Sequence, residues 1–176
     1  RAGELLSYTY SHLYNLPVTA LRFFTVYGER GRPDMAVAKF TRIIHEAGVI
    51  PVFGDGAARR DFTYISDIIK GVVASIYKPF KYEIINLGGS KTSTVARLIE
   101  IIENNLGKKA NIEYNPPAPG DVPVTNADVS KAARLLGFEP KVTLEQGVSR
   151  YVKWFLERME KGAPPETQPA VKGVLS

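Results

Sequence analysis

The stretch from Leu21 to Met35 constrains the fold of this chain most strongly, because an apolar run typical of a β-strand leads directly into a loop rich in glycine and arginine. Phe23 and Phe24 lie in the apolar run, and Gly28 after it allows a turn that other residues resist. The arginines of the loop carry guanidinium groups that suit a phosphate or a carboxylate. A Pro-Asp pair at the end of the loop can open a helix. This order of strand, loop and helix predicts an α/β fold.

Hydrophobic periodicity predicts further helices and strands along the chain. Ser66 or Asp67 is predicted to cap the start of one helix, and Ser93 or Thr94 the start of the next. Gly88 and the glycine after it lie between a strand and a helix, but neither a G-x-G-x-x-G motif nor a P-loop is present, which favours a plain turn. The predicted helices cover residues 2–14, 35–47, a segment ending near 77, 95–106, 130–136 and 144–160, and further strands cover 49–53, 82–87 and 112–114.

The composition excludes several classes of protein. The chain has 176 residues, two histidines and no cysteine, which excludes a disulfide framework, argues against a zinc centre and fits a cytoplasmic location. The net charge of +5 is dispersed rather than gathered in basic blocks, so a nucleic-acid partner is not expected. No apolar run is long enough to span a membrane. The chain begins with arginine and lacks a signal pattern, and we therefore expect a truncated, processed or excised chain.

Several segments are similar to one enzyme family. The stretches RFFTVYGERGRPDMA, GDGAARRDFTYISDI, INLG, PGDVPVTNAD and GVSRYVKWFLE resemble UDP-glucuronate 4-epimerases, which belong to the extended short-chain dehydrogenase/reductase superfamily. The resemblance implies the C-terminal part of an NAD(P)-binding Rossmann-like fold together with a small α/β substrate-binding domain. The implied division is a Rossmann tail over 1–30, a substrate-binding lobe over 31–81, a returning Rossmann strand and helix over 82–107, the rest of the lobe over 108–161, and a flexible tail over 162–176.

The resemblance also implies what this chain contributes to catalysis. In that family a catalytic Tyr-x-x-x-Lys and a Gly-rich NAD loop precede the matching segment, so we expect a C-terminal half that lacks both motifs and carries no catalytic residue. The whole enzyme would convert UDP-glucuronate to UDP-galacturonate through a 4-keto sugar, with NAD bound mainly by the other half. The helix over 2–14 would pack against a second subunit in a homodimer, and the chain alone would be inactive.

Thr25 and Arg32 are the residues that the resemblance assigns to the sugar. Thr25 ends a strand, where ligands gather in α/β sheets, although its hydroxyl could equally satisfy backbone groups. Arg32 could hold a carboxylate through two charge-assisted hydrogen bonds, although a surface arginine is the simpler interpretation. The resemblance favours the functional interpretation of both, with Thr25 contacting the hexuronic acid and Arg32 its carboxylate. Holding that carboxylate could protect a β-keto acid from losing CO2.

The nucleotide is assigned to other residues. The resemblance implies that Arg60 binds the UDP phosphates, that Pro51 and Phe53 line the uracil pocket, and that Asp121 accepts hydrogen bonds from the ribose. From residue types alone, Asp61 could hold Arg60 in place in a local ion pair, Phe53 would be core, and Asp121 would be a turn residue. Relatives often carry Gln or Arg where this sequence has Ala118, so any ligand contact there is lost. Phe23 and Phe24 match positions beside the nicotinamide of NAD.

Two alternatives stay open at this point. The first is a neighbouring activity, namely a UDP-glucose 4-epimerase or another nucleotide-sugar dehydratase or decarboxylase. The second is a non-catalytic module that binds nucleotide sugars. Arg32 distinguishes the uronate from the glucose interpretation, because glucose has no carboxylate for its guanidinium group to bind.

Overall fold

The computed structural model describes residues 1–117 and 120–162, and the predictions for Ala118 and for the tail from residue 163 onward lie outside them. The predicted helices and strands are found close to their expected bounds. The helices are α1 (Ala2–Tyr14), α2 (Ala36–His45), α3 (Ile65–Tyr77), α4 (Val95–Leu106), α5 (Ser130–Leu136) and α6 (Leu144–Glu160). The strands are β1 (Val18–Phe23), β2 (Thr25–Tyr27), β3 (Val49–Phe53), β4 (Arg59–Tyr64), β5 (Tyr82–Leu87), β6 (Thr92–Thr94) and β7 (Asn111–Asn115).

The opening apolar run forms two strands rather than one, because the chain turns sharply at Phe24. The Phe24 N–H donates to the Leu87 carbonyl at 3.4 Å, and the Phe24 carbonyl accepts from the Val26 N–H at 2.9 Å, which closes a three-residue turn. β1 pairs in parallel with β5, whereas β2 pairs in parallel with β4. The turn therefore carries the chain from one sheet to the next.

The other strands complete the framework of the site. β6 pairs with β4 in antiparallel register, with Ser93 opposite Arg60 and Thr92 opposite Asp61, so the sequence before α4 is a strand rather than the predicted loop. β3 pairs in parallel with β7. Along β3, Ile50 and Val52 are buried while the alternate residues face the other side, as strand geometry requires.

Two apolar cores hold these elements together. The larger joins α2, α4 and α6 to β2, β3 and β4, and includes Phe40, Leu98 and Phe155. The smaller joins α3, β5 and α5 around Leu87 and Phe138. The predicted division groups α4 with β5, whereas in the structure α4 packs against α2 and α6, because its buried apolar face is matched by apolar residues on those two helices.

The helix starts give one confirmed and one wrong prediction. The Thr94 hydroxyl accepts from the Arg97 N–H at 3.1 Å and caps α4 as expected. The prediction of a Ser66 or Asp67 cap is wrong, because α3 begins at Ile65 and has no side-chain cap. Asp67 is instead buried and accepts from N–H groups that precede α6.

α1 lies against the β1–β5 pair. Arg22 on β1 binds Glu4 through two hydrogen bonds of 2.6 and 2.7 Å, and the Ser11 hydroxyl donates to the Lys81 carbonyl at 2.7 Å. The opposite face of α1 exposes several leucines. No helix within the described residues combines the length and the apolar character needed to cross a membrane.

Candidate nucleotide-sugar site

The centre of the candidate site is an ion pair between Arg60 and Asp121. A guanidinium N–H of Arg60 donates to the Asp121 carboxylate, and a second one donates to the Arg59 carbonyl at 2.9 Å. Arg60 is largely buried, whereas Asp121 is about half exposed. The structure thus brings together two residues from separate motifs, one expected to bind phosphate and the other ribose.

The segment from residue 121 to 127 runs beside the first residues of β4 and carries Asp121 to this position. The Arg59 N–H donates to the Pro123 carbonyl at 2.8 Å, and the Thr125 N–H donates to the Arg59 carbonyl at 3.0 Å. The Arg59 side chain points elsewhere and donates to the Thr92 hydroxyl and carbonyl, both at 2.8 Å. Arg60 is therefore the arginine of this pair that reaches Asp121.

An open groove of about 330 Å³ lies beside the ion pair, within the size range of small-molecule sites. Phe53 is half exposed at its wall, and Asp121 lines it from the other side. Pro51 shares the face of β3 that carries Phe53 but is not among the lining residues. The remaining wall is formed by Gly54, Asp55, Ala57, Ala58, Arg59, Pro117, Val122, Pro123 and Val124.

Asp61 does not hold Arg60 as expected, because successive side chains of a strand point to opposite faces. Its carboxylate is fully buried and accepts four hydrogen bonds. Oδ1 accepts from the Gly89 N–H at 2.6 Å and from the Thr63 hydroxyl at 3.0 Å, and Oδ2 accepts from the Ser90 and Ala127 N–H groups, each at 3.0 Å. The prediction of a local Arg60–Asp61 pair is therefore wrong.

The two glycines after β5 allow this contact. A Cβ atom on Gly88 would lie 2.3 Å from the Ala127 Cβ, and one on Gly89 would lie 2.9 Å from Oδ1 of Asp61. The loop therefore needs glycine for close approach rather than for a bound phosphate. Its N–H groups at Gly89 and Ser90 already have an internal anion as their partner, which agrees with the interpretation of this element as a plain turn.

Phe23, Phe24 and Thr25 lie where β1 ends and β2 begins. β1 and β5 are parallel, so this position is at the carboxyl edge of the pair, where nucleotides bind in α/β sheets. Phe23 is half exposed there, while Phe24 and Thr25 are partly buried. An exposed aromatic ring at this edge fits a flat group such as a nicotinamide.

Arg32 lies in the loop between β2 and α2 and is 69% exposed. It binds Asp34 through two hydrogen bonds of 3.1 and 2.5 Å, which raises the pKa of Arg32 and lowers that of Asp34. Arg32 would have to break both of these hydrogen bonds to Asp34 in order to bind a sugar carboxylate.

Glu29 and Tyr64 form a contact beside the arginine loop that the sequence analysis did not predict. The Tyr64 hydroxyl faces both carboxylate oxygens of Glu29, at 2.6 and 2.8 Å, and so ties the arginine loop to the end of β4. Burial and this carboxylate raise the pKa of Tyr64 to about 12. The Arg150 guanidinium lies 5.5 Å from the centre of the same ring. Tyr64 belongs to the RDFTY motif, but residue spacing could not identify Glu29, 35 positions away, as its partner.

The spacing Tyr-x-x-x-Lys occurs in this chain at Tyr77 and Lys81, although the family's catalytic motif of that spacing was expected to be absent. Tyr77 is the last residue of α3, and Pro79 lies between the two, so they do not share a helical face. Lys81 precedes β5, at the sheet edge opposite to the ligand edge. Tyr77 and Lys81 therefore do not have the arrangement of the family's catalytic motif. Within the described ranges, no three histidine or acidic side chains are placed to hold a metal ion.

Comparison with known proteins agrees with these features. The chain is 51% identical over 161 residues to a UDP-glucuronate 4-epimerase of Thermodesulfobacterium geofontis, covering 91% of this chain and 50% of that protein. It is similar to the crystal structure of Bacillus cereus UDP-glucuronic acid 4-epimerase in complex with UDP-glucuronic acid and NAD, at 37% identity and a TM-score of 0.83, covering 88% of this chain and 50% of the other. The Thermotoga maritima UDP-glucose 4-epimerase with UDP-glucose has 31% identity and a TM-score of 0.84, covering 90% and 52%.

The chain spans about half the length of the curated relatives it matches. The predicted fold class is confirmed by the two solved structures, because each superposes on nearly all of this chain. The sequence profile of the NAD dependent epimerase/dehydratase family matches residues 1–88. This chain therefore belongs to the NAD dependent epimerase/dehydratase family.

Proposed function

We propose that this chain forms the substrate-binding part of a UDP-glucuronate 4-epimerase. The observation that carries the proposal is the meeting of Arg60 and Asp121 beside the groove that Phe53 lines. A nucleoside diphosphate requires a cation for its phosphates, an acceptor for its ribose hydroxyls and an apolar wall for its base. The names of the similar proteins support the choice of UDP-glucuronate.

Ligand binding would exchange partners within the ion pair. The diphosphate takes the place of Asp121 on the Arg60 guanidinium group, and the released Asp121 carboxylate accepts from the ribose hydroxyls. Arg60 is largely buried and keeps an anionic partner throughout this exchange, while Asp121 is about half exposed and can be hydrated as it moves. The ion pair therefore holds the site in shape until the ligand replaces it.

Thr25 and Arg32 would bind the sugar. The Arg32 guanidinium leaves Asp34 and holds the hexuronate carboxylate through two parallel hydrogen bonds. Holding the carboxylate in one position also keeps the bond that joins it to C5 out of alignment with the π system of a carbonyl at C4, which protects the oxidised sugar from losing CO2. The exposed position of Arg32 allows this rearrangement.

Phe23 and Phe24 would lie against the nicotinamide of NAD, which supplies oxidation and reduction at C4 of the sugar when it is bound. The contribution of this chain is to hold the sugar and its carboxylate. We further propose that the whole protein works as a homodimer in the cytoplasm, with the exposed leucines of α1 at the subunit interface.

Titration calorimetry with UDP, UDP-glucuronate and UDP-glucose tests the proposal. We expect UDP to bind the chain and Arg32→Ala to weaken UDP-glucuronate selectively, while UDP affinity stays unchanged. Equal weakening of both nucleotide sugars would favour the UDP-glucose 4-epimerase that the Thermotoga maritima structure suggests. Absence of UDP binding would refute the nucleotide site.

An activity assay tests the assignment of the catalytic residues to another part of the protein. The purified chain with added NAD and UDP-glucuronate should show no turnover, and turnover would contradict the assignment of the catalytic residues to another part of the protein. The control is a whole family member assayed under the same conditions.

A further inference from the structure

The two valines of the segment from residue 121 to 127 bury little surface and so contribute little to holding it in place. Val122 and Val124 are about half exposed. Its described ties to β4 are the ion pair of Asp121 with Arg60, the two backbone hydrogen bonds with Arg59, and the bond from the Ala127 N–H to Oδ2 of Asp61. Asp61 thus holds the end of the segment that lies farthest from Asp121.

Asp61 also ties the loop after β5 to the same point. Its two oxygens join β4, the Gly89–Ser90 turn and Ala127, which come from three separate parts of the chain. The carboxylate accepts four hydrogen bonds and donates none. Such a fully satisfied buried network fixes its members in one arrangement.

We propose that Asp61 is a positioning residue that holds the segment 121–127, and with it Asp121, opposite Arg60. Arg60 and Asp61 are neighbours on β4 and point to opposite faces, so the same strand carries the ligand-binding guanidinium group outside and its anchor inside. Asp61 thereby sets the affinity for a nucleoside diphosphate. This last step rests on the proposed function, whereas the anchoring of the segment does not.

Asp67 offers a matched control. It is also buried, and its Oδ2 accepts from the Lys141 and Val142 N–H groups, both at 2.8 Å. Removing its carboxylate should destabilise the fold for the same physical reason, namely the loss of buried acceptors for backbone N–H groups. Its contacts, however, hold the entry to α6 and do not reach the segment 121–127.

Hydrogen–deuterium exchange of the ligand-free chain, at a temperature where each variant is folded, tests the anchoring. Asp61→Ala should speed exchange in residues 121–127 and 89–90, whereas Asp67→Ala should speed it near residues 141–142. Equal exchange of the segment 121–127 in the two variants, or unchanged exchange in Asp61→Ala, would overturn the proposal.

UDP titration of the same proteins tests the consequence for binding. Asp61→Ala should weaken UDP by about tenfold, which corresponds to losing about 1.4 kcal/mol, and Asp67→Ala should leave the affinity unchanged. A wild-type affinity in Asp61→Ala would overturn the link to binding. If the wild-type chain binds no UDP, the proposed function fails, while the exchange data still decide whether Asp61 positions the segment.

Asp61→Asn keeps the test decisive if Asp61→Ala does not fold. An amide has one acceptor oxygen and must turn its NH2 group toward either the Gly89 N–H or the N–H groups of Ser90 and Ala127. At least one backbone donor then loses its partner, and exchange should rise at 89–90 or at 127 relative to Asp67→Asn. Protection equal to that of the wild type at all three amides would refute the anchoring.

Discussion

Replacing Gly147 with alanine should destabilise the chain, although the same change usually stabilises a helix. Gly147 lies in α6 where the helix crosses Tyr27. A Cβ atom there would lie 2.1 Å from the Tyr27 hydroxyl oxygen, 2.8 Å from its ring carbon Cζ and 3.0 Å from Cδ2 of Tyr64. The Tyr27 ring is buried and packs edge-on against Tyr64, so it cannot simply turn into solvent.

The size of the effect follows from one stabilising and two destabilising contributions. Alanine gains up to about 1 kcal/mol over glycine in a helix interior. Forcing a methyl group into a packed core costs about 1–3 kcal/mol. Moving the Tyr27 hydroxyl away also strains its 3.3 Å hydrogen bond to the Leu144 carbonyl, worth about 1 kcal/mol. We therefore expect a net loss of about 1–3 kcal/mol in the free energy of unfolding.

Gly3→Ala is the matched control, because Gly3 lies in α1 and a Cβ atom added there would have no neighbour within 4 Å. This variant should gain up to about 1 kcal/mol. Urea denaturation of the two variants and the wild type, followed by circular dichroism, measures the difference. If Gly147→Ala is as stable as the wild type or more stable, the close contact of α6 with Tyr27 is refuted.

Three other predictions concern a buried carboxylate, a helix cap and the ion pair. Burial raises the pKa of Asp67, but hydrogen bonds from N–H donors and from a lysine outweigh it, so the pKa lies below the ordinary 3.8. The contribution of Asp67 to stability should therefore be full above pH 3.8 and disappear as the pH falls through the lower, folded-state pKa. Urea denaturation of Asp67→Asn should accordingly show a weaker dependence on acid than that of the wild type. Thr143→Ala removes the capping box of α6 and should cost about 1 kcal/mol in urea denaturation, whereas an equal stability would contradict the cap. Arg60→Ala should weaken UDP by about tenfold or more by calorimetry, and Asp121→Asn less, whereas a larger effect of Asp121→Asn would contradict the assignment of the phosphates to Arg60.

Local sequence signals predicted most helices and strands, but they did not predict how these elements pair and pack with one another. Thr94 three residues before Arg97 was enough to predict a cap, because the two groups are neighbours in the chain. The break at Phe24 was not predictable, since the apolar run continues through it and the turn depends on a bond to Leu87 in a distant strand. The packing of α4 was also decided by distant partners on α2 and α6.

The candidate site shows the same limit. The family resemblance implied ligand contacts for Arg60 and Asp121, but 61 positions separate them, and residue spacing gave no sign that they pair. Asp61 was expected to hold Arg60 in an ion pair, because the two residues are adjacent in the sequence. Strand geometry decides otherwise, since neighbours on a strand face opposite sides.

The Arg60–Asp61 dipeptide also explains why the loop after β5 is not the phosphate site. A strand, a glycine pair and a helix offer free N–H groups that commonly bind anions. Here the Asp61 carboxylate takes the N–H groups of Gly89 and Ser90, so a phosphate at those groups would have to displace a buried internal anion. Arg60, on the other face of the same strand, lies beside the groove through its ion pair with Asp121, which lines it. We therefore expect phosphate affinity to depend on the Arg60 side chain, and the position of the segment 121–127 to depend on Asp61.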